Sequence, residues 1–208
     1  METWIDAAER HAAMARQIRN DARTLEVSYQ NAKRLWRYTN GRQGLEHVAI
    51  GQQVDRLDVL AFSLEWAAAR LRDITNRWIS NHNSHRTLFV NVDFRDIKWE
   101  DAVLRHETFQ GCNFSGITFL DARVGAFFKD CDLTQCAFIN TNVNGLRLDG
   151  CNIDELFFGD NGCYAYAREK WGDHYYGVRH RNCTGTAIGM ERLVKRSLND
   201  DDAWLTGA

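Results

Sequence analysis

Between residues 87 and 160, large apolar side chains recur every five positions. They run Phe89, Phe94, Trp99, Leu104, Phe109, Phe114, Phe119 and Val124, then Phe128, Leu133, Phe138, Val143, Leu148, Ile153 and Phe158. None of these fifteen centres is polar. Two positions before each centre lies a second, mostly smaller series that includes Val92, Cys112, Ala122, Cys131, Cys136, Thr141 and Cys151. The remaining positions favour Asp, Asn, Arg, Lys, Gly, Gln and Thr. A period of five matches neither the roughly 3.6 of a helix nor the two-residue alternation of a strand. Each unit must therefore close on itself, as the repeats of a solenoid do. One step, from Val124 to Phe128, is four residues long. It predicts a shortened corner at Gly125, where a missing Cβ would permit unusual backbone angles.

The first eighty residues follow a different rule. Trp4, Ala8, His11, Ala15, Ile18, Ala22, Leu25, Tyr29, Ala32 and Trp36 are spaced alternately by four and three. Ile50, Leu57, Leu60, Leu64, Ala67, Leu71, Ile74 and Trp78 form a second series of the same kind. These are helical seams, separated by TNGRQG at 39–44. So short a connection predicts an antiparallel hairpin of two helices, each on the order of 50 Å long. A hairpin this thin buries little alone and is expected to lean on the following domain or on another copy of itself. It would also cap the first coil, with Trp78 and Ile79 leading in.

The units CNFSG, CDLTQ, CAFIN and CNIDE closely resemble those of the pentapeptide-repeat family, whose pattern is A(D/N)LXX. The resemblance covers about a third of the chain. It implies a right-handed, four-sided β-helix in which each pentapeptide forms one side. The expected fold is α+β: a helical hairpin over 1–82, a short quadrilateral β-helix over 86–163, and a helical or irregular C-terminal cap over 164–208. The inward core would hold Phe94, Phe109, Phe114, Phe119, Phe128, Leu133, Phe138, Leu148 and Ile153. Stacking units four apart puts Cys112, Cys131 and Cys151 in one column, as small polarizable fillers rather than disulfides or metal ligands. The family's best-understood members mimic duplex DNA and bind type II topoisomerases, protecting them from quinolones or peptide toxins. For this chain that role would need a strip of carboxylates down one side, for which Asp93, Asp132 and Asp154 are the candidates.

Composition narrows the reading further. The formal net charge of −2 argues against bulk electrostatic binding of nucleic acid. Charge is uneven: Lys and Arg against Asp and Glu number 7 and 12 over 86–163, so the repeat region is acidic. Proline is absent, and no apolar run is long enough to span a membrane. Without a secretory signal, the six cysteines read as reduced thiols in a cytoplasmic protein. Glu107 is an ionisable group on the inward series, and a local bulge is the expected relief, ahead of a functional carboxylate.

After residue 163 the lattice stops. The stretch 168–183 is rich in aromatic and basic residues, and Trp171, Tyr175, Tyr176, Arg179 and Arg181 are either a partner-binding surface or the core of a cap. Cys163, His174, His180 and Cys183 invite a zinc reading, but their spacing fits no common finger. Thr186 would cap a helix AIGMERLVKRSL. No phosphate-binding loop, HExxH or GxSxG motif is present, so no catalytic, cofactor or metal residue is assigned. The expectation is a non-enzymatic scaffold or adaptor with a protein partner, or one assembling with itself through the hairpin or the C-terminal segment. By analogy with the family it would serve as an inhibitor, immunity factor or effector in bacterial conflict.

Overall fold

The computed structural model describes residues 3–39, 46–73, 87–159 and 177–193. The chain divides into two compact units, Met1–Val92 and Asp93–Ala208.

The first unit contains helices α1 (Trp4–Tyr38) and α2 (Glu46–Arg72) and strand β1 (Leu88–Val90). At about 1.5 Å per residue, α2 is roughly 40 Å long, shorter than expected. Ile74, Trp78 and Ile79 lie outside the described residues. Thr3 and Asp6 form a reciprocal capping box that satisfies two backbone donors at the start of α1. The helices run antiparallel, since Arg19 forks onto Glu65 at 2.7 Å near mid-length while Arg72 reaches back to Glu9 at 2.8 Å. Ala8, Ala15 and Ala22 are buried on α1, facing a seam that includes Ala61, Leu64, Ala67 and Leu71 on α2. Small side chains on both sides allow the close approach.

Packing loosens towards the tip, where Trp36 is 37 % exposed despite its place in the heptad. Its ring there lies 5.4 Å from that of His47 on α2. At the other end the hairpin holds β1. Arg10 donates to the carbonyls of Val90 (2.7 Å) and Asn91 (3.0 Å), and His11 Nε2 accepts the Val90 N–H at 2.8 Å. His11 is fully buried and its Nδ1 lies 2.7 Å from the Ala7 carbonyl. Nε2 must accept, so Nδ1 carries the proton and donates. Two adjacent helical side chains thus satisfy backbone groups of a strand edge.

The second unit is a parallel β-solenoid of about four turns with four walls. On the first wall, β4 (Thr108–Gln110), β7 (Phe127–Lys129), β9 (Arg147–Asp149) and β11 (Arg179–Arg181) pair in that order. The second wall has no regular strands and is joined by single bridges linking Asp93, Asn113, Asp132, Asn152 and Thr184. The third stacks β2 (Trp99–Glu100), β5 (Thr118–Leu120), β8 (Ala137–Ile139), β10 (Leu156–Phe158) and β12 (Ala187–Ile188). The fourth pairs β3 (Val103–Leu104) with β6 (Arg123–Val124) and bridges on to Asn142.

Register is kept residue for residue, so the centres stack. Phe94 lies on Phe114 with ring centroids 5.0 Å apart, Phe109 on Phe128 at 5.0 Å, Phe119 on Phe138 at 4.9 Å and Phe138 on Phe158 at 5.1 Å. These separations are close to the strand spacing of about 4.8 Å, so each ring occupies one layer. Every core residue named from the sequence is buried. The smaller inward series also hydrogen-bonds. Cys131 Sγ donates to the carbonyls of Phe109 and Lys129 at 3.3 Å, and Thr141 Oγ1 contacts those of Phe119 and Ile139 at 3.0 and 2.8 Å. Corners place Asp101, Asp121, Asp130, Gln135, Asn140 and Glu155 at positive φ, a region that Asn and Asp tolerate best after glycine.

Three expectations need correction. Gly125 does mark the short corner, and Phe128 does pair with Phe109, but Gly125 is not among the residues with positive φ. Its Cβ would instead stand 2.6 Å from the Asn144 carbonyl of the next coil, so the constraint is close approach. At Glu107 the irregularity lies in the corner and not in the strand, since three residues, 105–107, stand opposite two, 125–126, between the Leu104–Val124 and Thr108–Phe127 pairs. Residues 108–110 keep unbroken register with β7, and the buried carboxylate accepts the His106 N–H at 3.0 Å.

The third correction concerns residues 177–189 of the C-terminal segment, which continue the solenoid. Val178, Cys183 and Ala187 take the small inward positions, while His180, Gly185 and Gly189 stand where large centres would be. The helix expected from Ala187 is, over its described part, strand β12 and a 3-10 turn at Met190–Arg192. Met190 and Leu193, which follow this coil, are buried, with Val178 N–H donating to the Leu193 carbonyl at 3.1 Å.

The glycine reading separates two substitutions by mechanism. Gly125→Ala and Gly125→Asn should each destabilise by about 1–3 kcal/mol, because the added carbon meets backbone. Gly116 has φ +71° with open space around it, so Gly116→Asn should stay within roughly 0.5 kcal/mol while Gly116→Ala loses about 1 kcal/mol. Urea melts of the four variants check this. A tolerated Gly125→Asn would rule out close approach as the constraint.

Candidate functional site

Inward positions are committed to the core, so any recognition must use side chains that alternate outward along the walls. The four walls differ in chemistry.

Two outward columns ascend the first wall. One is Thr108, Phe127, Arg147 and Arg179, the other Gln110, Lys129, Asp149 and Arg181. Asp149 is 7 % exposed. Its carboxylate accepts from Arg181 Nη2 and, at 3.2 Å, from Asn182 Nδ2. The Arg181 guanidinium holds its pKa below the usual carboxylate range, against the opposing effect of burial. Arg181 thus ties the last coil to the one below it. The Trp171, Tyr175 and Tyr176 of the sequence-derived surface lie outside the described residues, as do Cys163 and His174.

The second wall carries Asp93 and Asp132 in a single column, with Asn113 between them and Asn152 beyond. Asp154 stands beside that column, two residues on from Asn152. Each member closes its own turn. Asn113 accepts the Ser115 N–H at 2.9 Å, Asp132 the Thr134 N–H at 3.0 Å and hydroxyl at 2.6 Å, and Asn152 the Asp154 N–H at 3.3 Å. These are Asx turns, in which the side chain stands in for a backbone acceptor. Asp93 is also gripped by Arg95, whose Nη2 lies 2.6 Å from Oδ2 and keeps the carboxylate pKa low. Alternating Asp and Asn, with one Asp neutralised, gives a turn-forming ladder more than a strip of negative charge.

Inside this wall runs a column of thiols, which gains a fourth member in Cys183 above Cys112, Cys131 and Cys151. Thiol-to-thiol contact with Cys112 and burial push Cys131 up to about 12, and a like contact with Cys131 pushes Cys151 up to about 12. Cys136, on a different column, is raised by burial. Protonated thiols of this kind are poor nucleophiles and poor ligands. His180 stands on the first wall, away from Cys183 on the second. Among the described residues no cluster of His, Cys, Asp and Glu is arranged to hold a metal ion.

The third wall is apolar on its outside. Thr118, Ala137, Phe157 and Ile188 form one outward column; Leu120 and Ile139 lie in the other. Ile139 is 37 %, Phe157 36 % and Ile188 58 % exposed. Among the described residues of Asp93–Ala208 these are the exposed large apolar side chains, and all three share this wall. Sequence reading passed over them because it treated every position outside the inward pair as polar filler. Leu120, Ile139 and Phe157 each adjoin a centre and break that rule, which is a legible signal; Ile188 lies beyond the regular lattice.

Five residues to a side, four sides to a turn and an inward pair on each regular side together define the architecture. This is a four-sided parallel β-solenoid built on a five-residue repeat. A family model described as the SV2A/B/C luminal domain matches residues 69–158, less than half of the chain. No curated protein matches. Among solved structures, two trypsin-treated forms of QnrB1, a plasmid-mediated fluoroquinolone resistance protein, are similar at 24% identity. One match covers 49% of this chain and 46% of that structure with a TM-score of 0.34; the other covers 53% and 47% with 0.32. The chain thus spans under half the length of either.

The Asp149–Arg181 clamp makes a pH-dependent contribution of known sign. A carboxylate with a depressed folded-state pKa stabilises fully above its unfolded value, about 3.9, and ceases to do so as pH falls through the folded value. Asp149→Asn should therefore lower the melting temperature at pH 7, by the equivalent of about 1–3 kcal/mol. The gap to the parent should close as the solution is acidified below the ordinary carboxylate range. Scanning calorimetry between neutral and strongly acidic pH would show this, and a constant gap would exclude the clamp.

Proposed function

We propose that this chain is a non-enzymatic protein-interaction scaffold whose recognition surface is the third wall of the solenoid. The observation that carries the reading is the clustering of Ile139, Phe157 and Ile188 on one flat, rigid wall. Exposed apolar side chains gathered in one patch mark interaction sites, whereas scattered ones do not. A wall of parallel strands in continuous register presents them with little conformational freedom left to lose on binding.

Resemblance to the pentapeptide-repeat family also brings the role of a DNA mimic acting on a type II topoisomerase. A carboxylate strip along one wall would favour that role. On the second wall, where Asp93 and Asp132 stand, Asn113 and Asn152 interrupt the series and Arg95 covers Asp93. The scaffold reading is therefore preferred.

A photo-crosslinking amino acid placed at Phe157 or Ile188, in cells of the native host, tests it. Both positions should capture the same protein, and the same probe at Arg123, exposed on the fourth wall, should not. Equal capture from both walls, or none from the third, would dismiss the reading. In a supercoiling assay with a type II topoisomerase, the purified chain should leave activity unchanged; inhibition or protection would restore the DNA-mimic role.

A further inference from the structure

The apolar strip on the third wall is bordered by acid. One corner carries Asp101 and Asp121, with Asn140 following; the opposite corner carries Asp96, Gln135 and Glu155. Glu100 lies on the wall itself beside Trp99. Two basic residues accompany these carboxylates, Lys98 on the wall and Arg95 beside Asp96, both at the first-coil end. Asp121 accepts from Asn140 Nδ2, and Glu155 accepts from Gln135 Nε2 at 2.7 Å. Amides therefore hold these two carboxylates in place without cancelling their charge, unlike Asp93 under Arg95 or Asp149 under Arg181.

We propose that this strip docks a basic amphipathic helix of the partner protein, with its apolar stripe on Leu120, Ile139, Phe157 and Ile188 and its Lys or Arg residues along the two acidic borders. Dimensions agree. Three residues of strand span about 10 Å, close to the diameter of a helix with its side chains. The three steps from β5 to β12 rise about 14 Å along the solenoid, which roughly ten helical residues would match. Such a helix presents apolar anchors at three- and four-residue spacing with cations on both flanks, complementary to the wall in shape and sign.

Charge argues against the other occupants. A second copy laid wall to wall would set carboxylate borders against each other, and an anionic lipid surface would meet the same repulsion.

The inference rests on the scaffold reading but fails separately from it. The full chain is titrated by fluorescence anisotropy with two synthetic helices of identical leucine pattern, one with lysine flanks and one with glutamate flanks. The lysine helix should bind, more weakly as salt rises, and the glutamate helix should not. Combining Asp101→Asn, Asp121→Asn and Glu155→Gln should weaken binding on the order of tenfold. Ile139→Ser with Phe157→Ser should abolish it while leaving the far-ultraviolet spectrum of the solenoid intact. Equal binding of both helices, or of neither, overturns the proposal even where crosslinking at Phe157 still captures a partner. A change of sedimentation coefficient in the charge-removed variant, signifying a second copy on the strip, also overturns it.

Discussion

Backbone hydrogen bonding between successive coils, in unbroken parallel register, is the constraint from which the rest of this molecule follows. Once Phe119 must lie on Phe138 and Phe138 on Phe158, a layer about 4.8 Å thick has to be filled by one ring, no more and no less. The flat stacking of these rings, with planes 6° and 9° apart, is therefore a product of strand spacing as much as of aromatic attraction. The same constraint fixes the second inward series. Side chains there contend with carbonyls turned inward at the corner, and where the series is small, cysteine and threonine fill the space and donate to those carbonyls. Cysteine's abundance is thus explained by geometry, and its protonated, buried state is the outcome.

Parallel register also creates the molecule's chief liability, because each end of a stack presents unsatisfied strand edge. The two units treat strand edge differently. In the first unit, the β1 edge is engaged by ionic and imidazole side chains of α1, chosen for reach and hydrogen-bonding polarity. In the second, the coil over 177–189 relinquishes its large centres, Met190 and Leu193 are buried just after it, and Arg181 is clamped to Asp149 on the coil beneath. Directional bonds serve the first edge, and apolar burial with one ion pair serves the second.

How much of this was legible in the sequence depended on whether a residue's role was repeated. The lattice from Phe89 to Phe158 could be read because each role recurs many times, and even the four-residue step at Gly125 was located by the period on either side. What the period could not show was why glycine is there, since the Asn144 carbonyl comes from nineteen residues on. The last coil was invisible for the opposite reason: His180, Gly185 and Gly189 occupy its centres, and a pattern of large apolar residues cannot register their absence. His11 read as one more seam residue, although it binds a strand seventy-nine residues away. Of the candidate surface, Asp93 and Asp132 share one bridged column while Asp154 stands beside it, and the use of the column in closing turns depends on two-residue hydrogen bonds to backbone. The apolar third wall was present in the letters and was hidden by the assumption that whatever does not point inward is solvent filler.

The short corner at Gly125 bears on how such a chain can change over generations. Nineteen residues there do the work of twenty, and thirty-two separate Leu148 from His180, yet both pairs share full register. Chain length is thus decoupled from architecture at the corners, where a residue can be lost or a segment gained without shifting any wall against its neighbours. Within a wall the same change would turn every following side chain inside out. Lineages of this solenoid are therefore free to diversify by insertion and deletion at the corners, while the walls evolve by substitution alone.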